Sequence, residues 1–93
     1  MRKAARIDDN QKMIVNVLRQ IGASVQSLAA TGKGVPDLLV GYRGINYLFE
    51  VKDGNKVISQ QKLTPDQQDW HSAWRGSVFV VTSEDEALKI LKG

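Results

Sequence analysis

The sequence contains no cysteine and only one histidine, His71, among its 93 residues. A disulfide framework and a thiolate metal site are therefore excluded, and one histidine cannot build a multi-histidine zinc site within a single chain. A catalytic metal ion would have to be held by carboxylate oxygens instead.

Long apolar runs are also missing. No stretch approaches the roughly 18 to 20 apolar residues of a membrane span, and the basic first residues are not followed by the apolar core of a signal peptide. We therefore expect no membrane partner and a cytoplasmic location. Lys33 is flanked by glycines but lacks the rest of a phosphate-binding loop pattern, so we also expect no nucleotide cofactor.

The composition is that of a folded protein, with 42% apolar and 25% charged residues. Its length predicts a single domain spanning residues 1–93, because a second hydrophobic core would need a longer chain. Residues 1–7 are predicted to form a loose basic arm, either solvated or in contact with phosphates. The net charge of +3 is compatible with a polyanionic partner.

Apolar periodicity and turn residues predict the order α-β-β-β-α-β-α, which favours a mixed α/β sheet flanked by helices. The two later helices each begin at a capping-box pattern, at Thr64 and at Ser83. The predicted helices span residues 9–21, 65–75 and 84 onward, the predicted strands span residues 23–30, 37–42, 45–52 and 77–82, and residues 53–63 are predicted to be a loop.

Three charged residues stand in or beside the two strands of the predicted hairpin. Side chains alternate between faces along a strand, so Glu50 and Lys52 lie on one face of the second strand. Asp37 opens the first strand, and the hairpin brings it across from the end of its partner. The register therefore predicts that Asp37, Glu50 and Lys52 meet at one edge of the sheet.

Two converging carboxylates repel each other and are costly to bury unless they share a cation. A hard divalent ion such as Mg²⁺, for which Mn²⁺ can substitute, takes carboxylate and carbonyl oxygens, and the backbone carbonyl of Val51 is a third candidate ligand. Lys52 would then orient a water molecule or stabilise negative charge on a phosphate. The alternative is structural. Asp37 would then cap a turn, and Glu50 and Lys52 would form a solvated ion pair that contributes little to stability.

These residues carry a family resemblance. Pro36-Asp37, twelve intervening residues and then Glu50-Val51-Lys52 resemble the PD-(D/E)XK nuclease motif. The segments GVPDLLV, YLFEVKDG and KLTPDQQDW further resemble the VRR-NUC group, the virus-type replication-repair nuclease domain, in a stand-alone form. The resemblance covers nearly the whole chain and implies a restriction-endonuclease-like core, in a bacterial or phage-infected cell.

The resemblance also implies an activity and a set of site residues. It implies a metal-dependent endonuclease of the Holliday-junction-resolvase type, with Asp37 and Glu50 as Mg²⁺ ligands and Lys52 as the catalytic lysine. Members of the family often carry a glutamine on the helix after the E-x-K motif, a position that Gln67 fits. They often carry an acidic residue on the first helix. The start of this helix offers Asp8, Asp9 and Gln11, of which Asp9 is the favoured candidate for a further metal ligand.

Purely structural roles are alternatives for several of these residues. Gln67 also fits the capping-box partner of the Thr64 helix cap, and Asp9 also fits a helix cap. On the Gln67 helix, Trp70 and Trp74 are interpreted as core or dimer-interface residues rather than as base-stacking platforms. His71 lies on the same stripe but is left out of the catalytic set, because a lone histidine is more often structural or exposed.

Basic residues in the predicted loops are candidate DNA contacts. Cations around the site would contact phosphates without reading sequence. These candidates, expected around the same edge of the sheet, are Lys33, Arg43, Lys56 and Lys62.

The sequence thus predicts an Mg²⁺-dependent endodeoxyribonuclease. A small domain offers little surface for base readout, so branched DNA such as a four-way junction is the expected substrate, and its near two-fold symmetry favours a homodimer. Two alternatives stay open: a non-catalytic DNA-binding module on the same fold, and a nuclease or nickase of linear duplex or flap DNA that requires a partner.

Overall fold

A computed structural model describes residues 9–93 of the chain, and the predicted basic arm lies outside these described residues. Four strands and four helices follow one another along the described chain. In chain order they are α1 (Asp9–Gln20), β1 (Ser24–Ser27), β2 (Leu38–Tyr42), β3 (Ile45–Val51), α2 (Ile58–Gln61), α3 (Pro65–Ala73), β4 (Val78–Val81) and α4 (Glu84–Lys92).

The strands form one mixed sheet in the order β1-β2-β3-β4. The pairs β1–β2 and β2–β3 are antiparallel, and β3–β4 is parallel. A parallel pair cannot be joined by a tight turn, so the chain crosses from β3 to β4 through α2 and α3. The α/β fold class predicted from the sequence, a restriction-endonuclease-like core of mixed sheet and flanking helices, is confirmed.

The hydrophobic core lies between one face of the sheet and the helices α1 and α4. Alternate residues of β2 and β3 point into it, among them Val40 and Phe49, which are fully buried. Ile14 and Leu18 of α1 and Leu91 of α4 complete this core. The apolar periodicity of α1 and α4 is therefore explained by burial against the sheet.

The segment after β3 differs from the predicted loop because it contains the single helical turn α2. Its first residue Ile58 is 75% exposed, and Val57 at the N-cap has no side-chain group that could cap the turn. The turn is instead held by Gln61, whose side-chain amide donates to the carbonyl of Lys56 at 2.7 Å. A four-residue turn whose apolar residue is exposed, and which has no capping side chain, leaves no periodic pattern in the sequence.

Helix α3 begins as predicted, because both hydrogen bonds of the capping box at Thr64 are formed. It ends at Ala73, and it contains no buried residue. Trp70 and Trp74 stack with ring centroids 4.5 Å apart, but Trp74 is 47% exposed. Of the two interpretations of these tryptophans, core or dimer interface, this exposure excludes the core for Trp74, and the dimer interface stays a prediction.

The part of the chain that the structure describes, residues 9–93, contains no helix with the length and apolar character needed to span a membrane.

Gly34 lies where the loop before β2 touches the first turn of α3. Its φ is +82°, and a Cβ atom at this position would overlap the backbone carbonyl of Asp66. We expect Gly34→Ala to lower the free energy of unfolding by about 3 kcal/mol, because a strained φ and a backbone clash add together. Urea denaturation measures the loss.

Gly32→Ala is the matched control for this prediction. Gly32 also has a positive φ, +71°, but nothing lies within 4 Å of the added Cβ. Its expected cost is the conformational penalty alone, about 1 kcal/mol. Equal losses in the two variants would mean that the close approach to α3 contributes nothing to stability.

Candidate active site

Asp37 and Glu50 lie opposite each other at the open end of the β2–β3 pair. Leu38 pairs with Phe49 in the antiparallel register, so the preceding residue Asp37 faces Glu50. Asp37 is held there by its Oδ2, which accepts a hydrogen bond from the backbone amide of Val51 at 2.8 Å. The predicted register is therefore the one observed, and it brings the two carboxylates to the same end of the β2–β3 pair.

The side chain of Gln67 connects Glu50 and Lys52. Its side-chain Oε1 accepts a hydrogen bond from Lys52 Nζ at 2.8 Å, and its Nε2 donates to Glu50 Oε2 at 3.1 Å. The same Oε1 accepts from the backbone amide of Thr64 at 2.9 Å, which is half of the capping box. The two interpretations of Gln67 are thus not exclusive, because one amide caps α3 and holds Glu50 and Lys52.

The electrostatics of this cluster are those of crowded carboxyl groups. Glu50 is 1% exposed. Its burial, followed by a hydrogen bond and charge repulsion from Asp37, raises the pKa of Glu50 to about 8, against the opposing charge of Lys52. Its Oε1 is buried without a hydrogen-bond partner. A cation beside a carboxyl in this condition would stabilise its anionic form.

These residues fit a hard divalent cation. Asp37 and Glu50 supply carboxylate oxygens, and the Val51 carbonyl points to the same side of β3 as the Val51 amide, toward Asp37. Within residues 9–93 no cluster of three or more histidine, cysteine or acidic side chains that could hold a metal ion is found. The remaining positions of such an ion would therefore be filled by water and substrate, as is common for Mg²⁺.

Asp9 does not reach the cluster through any described hydrogen bond. It is the exposed first residue of α1. Its neighbour Asn10 makes the contact instead, because its side-chain amide donates to the backbone carbonyl of Lys52 at 2.8 Å. Asn10 also donates to the carbonyl of Thr82 at 3.3 Å, which ties the end of β3 to the end of β4. No sequence pattern indicates this role, because it depends on how α1 docks.

Three of the four basic candidates lie in the chain segments that surround the cluster. Lys33 is exposed next to the first turn of α3, and Lys56 and Lys62 are exposed in the segment between β3 and α3. Arg43 is different. It lies in the β2–β3 turn, at the opposite end of the strands from Asp37 and roughly 20 Å away along β2. The expectation that Arg43 surrounds the same edge is therefore wrong.

His71, excluded from the predicted catalytic set, lies against Glu50. Its Nε2 is 3.9 Å from Glu50 Oε1. Burial, followed by the charge of Lys52, lowers the pKa of His71 below its ordinary value. The sequence contained a signal for this position, because His71 follows Gln67 by one helical turn and therefore faces the same way.

Comparison with known proteins decides the family. No protein-family profile and no curated protein matches the chain. Among solved structures, one described as a VRR_NUC domain matches with a TM-score of 0.67 and 34% sequence identity, over 88% of this chain and 89% of that one. This chain belongs to the VRR-NUC family. VRR-NUC domains are nuclease-type domains, so DNA is the substrate that the family implies.

The pH dependence of the metal-free VRR-NUC domain follows from Glu50. Below pH 4.5 the carboxyl is protonated in both the folded and unfolded states. Between pH 4.5 and about 8 the unfolded chain releases this proton and the folded protein keeps it. Stability in EDTA is therefore expected to fall through this window, by on the order of 1–3 kcal/mol.

Glu50→Gln tests this prediction, because the amide cannot ionise. We expect the variant to be more stable than the parent at pH 8 and equal to it near pH 4, as measured by urea denaturation in EDTA. Asp69→Asn, an equal charge change at an exposed position of α3, is the control. A pH dependence that is the same in the parent and in Glu50→Gln would show that the burial of Glu50 does not govern it.

Proposed function

We propose that this VRR-NUC domain is a divalent-cation-dependent endonuclease that hydrolyses phosphodiester bonds in branched DNA. The observation that carries the proposal is the cluster of hydrogen-bonded side chains at one end of the β2–β3 pair. Asp37 faces Glu50 across the β2–β3 pair, and Gln67 hydrogen-bonds both Glu50 and Lys52. A carboxylate pair with a fixed ammonium group beside it suits hydrolysis of a negatively charged ester.

Each protein group has a role in the proposed reaction. Asp37, Glu50 and the Val51 carbonyl would hold Mg²⁺ or Mn²⁺, which would polarise the phosphate and make the attacking water more acidic. Lys52 offers its ammonium to the attacking water or to the phosphate oxygens as their negative charge grows. Gln67 keeps Lys52 at a fixed place, because its Oε1 accepts from Nζ at 2.8 Å.

The net reaction is a substitution at phosphorus. The water oxygen forms a bond to phosphorus and the bond from phosphorus to one sugar oxygen breaks. The sugar oxygen leaves with the electron pair and gains a proton, and the attacking water loses one. The ammonium of Lys52 stabilises the charge that builds up on the phosphate while these bonds change.

Exposed cations support a DNA partner in this proposal. Lys33, Lys56 and Lys62 lie on the segments around the cluster, where each can neutralise a phosphate. These lysines would set affinity and salt dependence and leave sequence unread. Arg43 would contact DNA only if the bound molecule extended to the far end of the β2–β3 hairpin.

A homodimer would supply the two active sites that a four-way junction requires. The inner residues of α4, Ala87 and Leu91, are buried in the core of the domain. The exposed side of α3 with the stacked Trp70 and Trp74 is therefore the better candidate interface. Sedimentation of the protein alone measures this state independently of any cleavage assay.

A substrate panel tests the activity. Labelled four-way junction, flap and linear duplex DNA are incubated with the protein in Mg²⁺, Mn²⁺ or EDTA. We expect cleavage of the junction in either metal and none in EDTA. Binding without cleavage under all three conditions would reject the enzyme, and equal cutting of linear duplex would reject selectivity for branched DNA.

A further inference from the structure

Among the described residues, two buried side-chain polar atoms have no hydrogen-bond partner, and they face each other. They are Oε1 of Glu50 and Nε2 of His71, 3.9 Å apart. The side chains of Glu50 and His71 are only 2% and 13% exposed. Buried polar atoms nearly always have partners, so two such atoms less than 1 Å beyond hydrogen-bond distance call for a functional explanation.

Helix α3 presents one side chain to each oxygen of Glu50. Gln67 donates to Oε2 at 3.1 Å, and His71, four residues later, faces Oε1. Residues separated by four positions lie on one side of a helix, so the two contacts come from a single rigid element. Glu50 is therefore contacted by α3 on one side, and Asp37 lies opposite it in the β2–β3 pair.

We propose that His71 is a positioning residue for Glu50. In the metal-loaded enzyme its neutral imidazole, protonated at Nε2, donates a hydrogen bond to Glu50 Oε1 and fixes the plane of the carboxylate. This inference rests on the proposed metal-dependent function, because a fixed carboxylate plane matters when Glu50 is a metal ligand. Hydrogen bonds to ligating carboxylates are a general means of orienting them.

The neutral form with the proton on Nε2 is the one that this environment favours. An unprotonated Nε2 would turn its lone pair toward a carboxylate oxygen, and two acceptors cannot bond. A doubly protonated imidazole would add a positive charge close to the ammonium of Lys52, which Gln67 holds one helical turn before His71. The imidazole also differs from Gln67 in having no capping role, so changing it leaves the start of α3 intact.

Metal affinity is the property that this positioning would control. Losing such a partner typically weakens metal binding by about 10- to 100-fold. We therefore expect His71→Leu, which keeps a similar volume without a donor, to bind Mn²⁺ more weakly by about that factor. His71→Gln keeps a donor and should regain most of the affinity, and the exposed neighbour change Ser72→Ala should have no effect.

Mn²⁺ titration by calorimetry measures these affinities on the untagged protein, and the melting temperature in EDTA reports folding separately. A merely structural role would lower the melting temperature of both His71 variants and leave the Mn²⁺ affinity of the folded protein unchanged. Cleavage by His71→Leu should recover as Mn²⁺ is raised. Equal loss of affinity in the leucine and glutamine variants would overturn the hydrogen-bond role.

The wild-type protein allows a second test that needs no variant. His71 is the only histidine in the sequence, so a long-range ¹H–¹⁵N spectrum shows a single imidazole. With saturating Mg²⁺ we expect the neutral tautomer protonated at Nε2. The tautomer protonated at Nδ1, or an Nε2 shift typical of a directly coordinated nitrogen, would overturn the proposal.

Failure of this inference is distinguishable from failure of the proposed function. A wild type that binds Mn²⁺ and a leucine variant that binds it equally well would overturn only the role of His71. A wild type that binds neither Mn²⁺ nor Mg²⁺ would overturn the metal chemistry and the role of His71 with it.

Discussion

Asp37→Asn is expected to abolish detectable DNA cleavage, with a loss of at least about 10³-fold in rate at saturating Mg²⁺. The change removes one of the two carboxylates that would hold the ion. It keeps a side-chain oxygen that can still accept the 2.8 Å hydrogen bond from the Val51 amide, so the register of β2 and β3 should survive. Single-turnover cleavage of a labelled junction measures the loss.

Thermal stability separates loss of the metal site from loss of the fold in this variant. In EDTA above pH 8, where Glu50 is ionised, Asp37→Asn should melt at or above the wild-type temperature, because repulsion between Asp37 and Glu50 is removed. The stabilisation that Mn²⁺ gives the wild type should be absent. Asp69→Asn, with the same charge change on the exposed side of α3, should behave as the wild type. Cleavage at the wild-type rate by Asp37→Asn would reject its role as a metal ligand.

Lys52→Met is expected to slow the chemical step by about 10²- to 10³-fold while preserving metal binding. Methionine keeps an unbranched apolar stem but removes the ammonium that Gln67 holds at 2.8 Å. Mn²⁺ should bind at least as tightly as to the wild type, because a positive charge near the ion has been removed. Single-turnover rates with saturating DNA, together with Mn²⁺ titration, measure the two effects.

Lys56→Met is the matched control for Lys52, because Lys56 is exposed in the next segment of the chain. Its loss should weaken DNA binding and reduce the salt dependence without changing the rate at saturating DNA. Lys52→Arg adds a second comparison, since a guanidinium keeps the charge but has a larger, planar shape. If the methionine variant of Lys52 cleaves at the wild-type rate, Lys52 has no part in the chemical step.

Local sequence patterns predicted most of the secondary structure. α1 and α4 have an apolar stripe that the core buries, and α3 begins at a capping box that is formed. The turn α2 was missed because it has no side-chain cap and its apolar first residue, Ile58, is exposed. β1 is only Ser24–Ser27, shorter than the predicted strand 23–30, because its pairing with β2 ends at Leu38.

The predicted cluster of Asp37, Glu50 and Lys52 rested on two simple rules. Alternation along β3 sets Glu50 and Lys52 on one face, and the hairpin register sets Asp37 opposite Glu50. Both rules act over short stretches of chain, which is why the sequence sufficed. The site role of Gln67 was harder to predict, because its sequence pattern is fully explained by the capping box. Its contacts with Glu50 and Lys52 depend on where α3 packs.

The sequence by itself restricted the candidate metal ligands: the absence of cysteine, a single histidine and the Asp37/Glu50 pair leave oxygen ligands for any metal. Only the tertiary structure decided which side chains from distant segments complete the cluster. Docking of α1 directs Asn10 to the Lys52 carbonyl, and the packing of α3 directs His71 to Glu50. Periodicity assigns a residue to a face of its own helix, whereas the neighbour which that face meets depends on contacts between elements far apart in the chain.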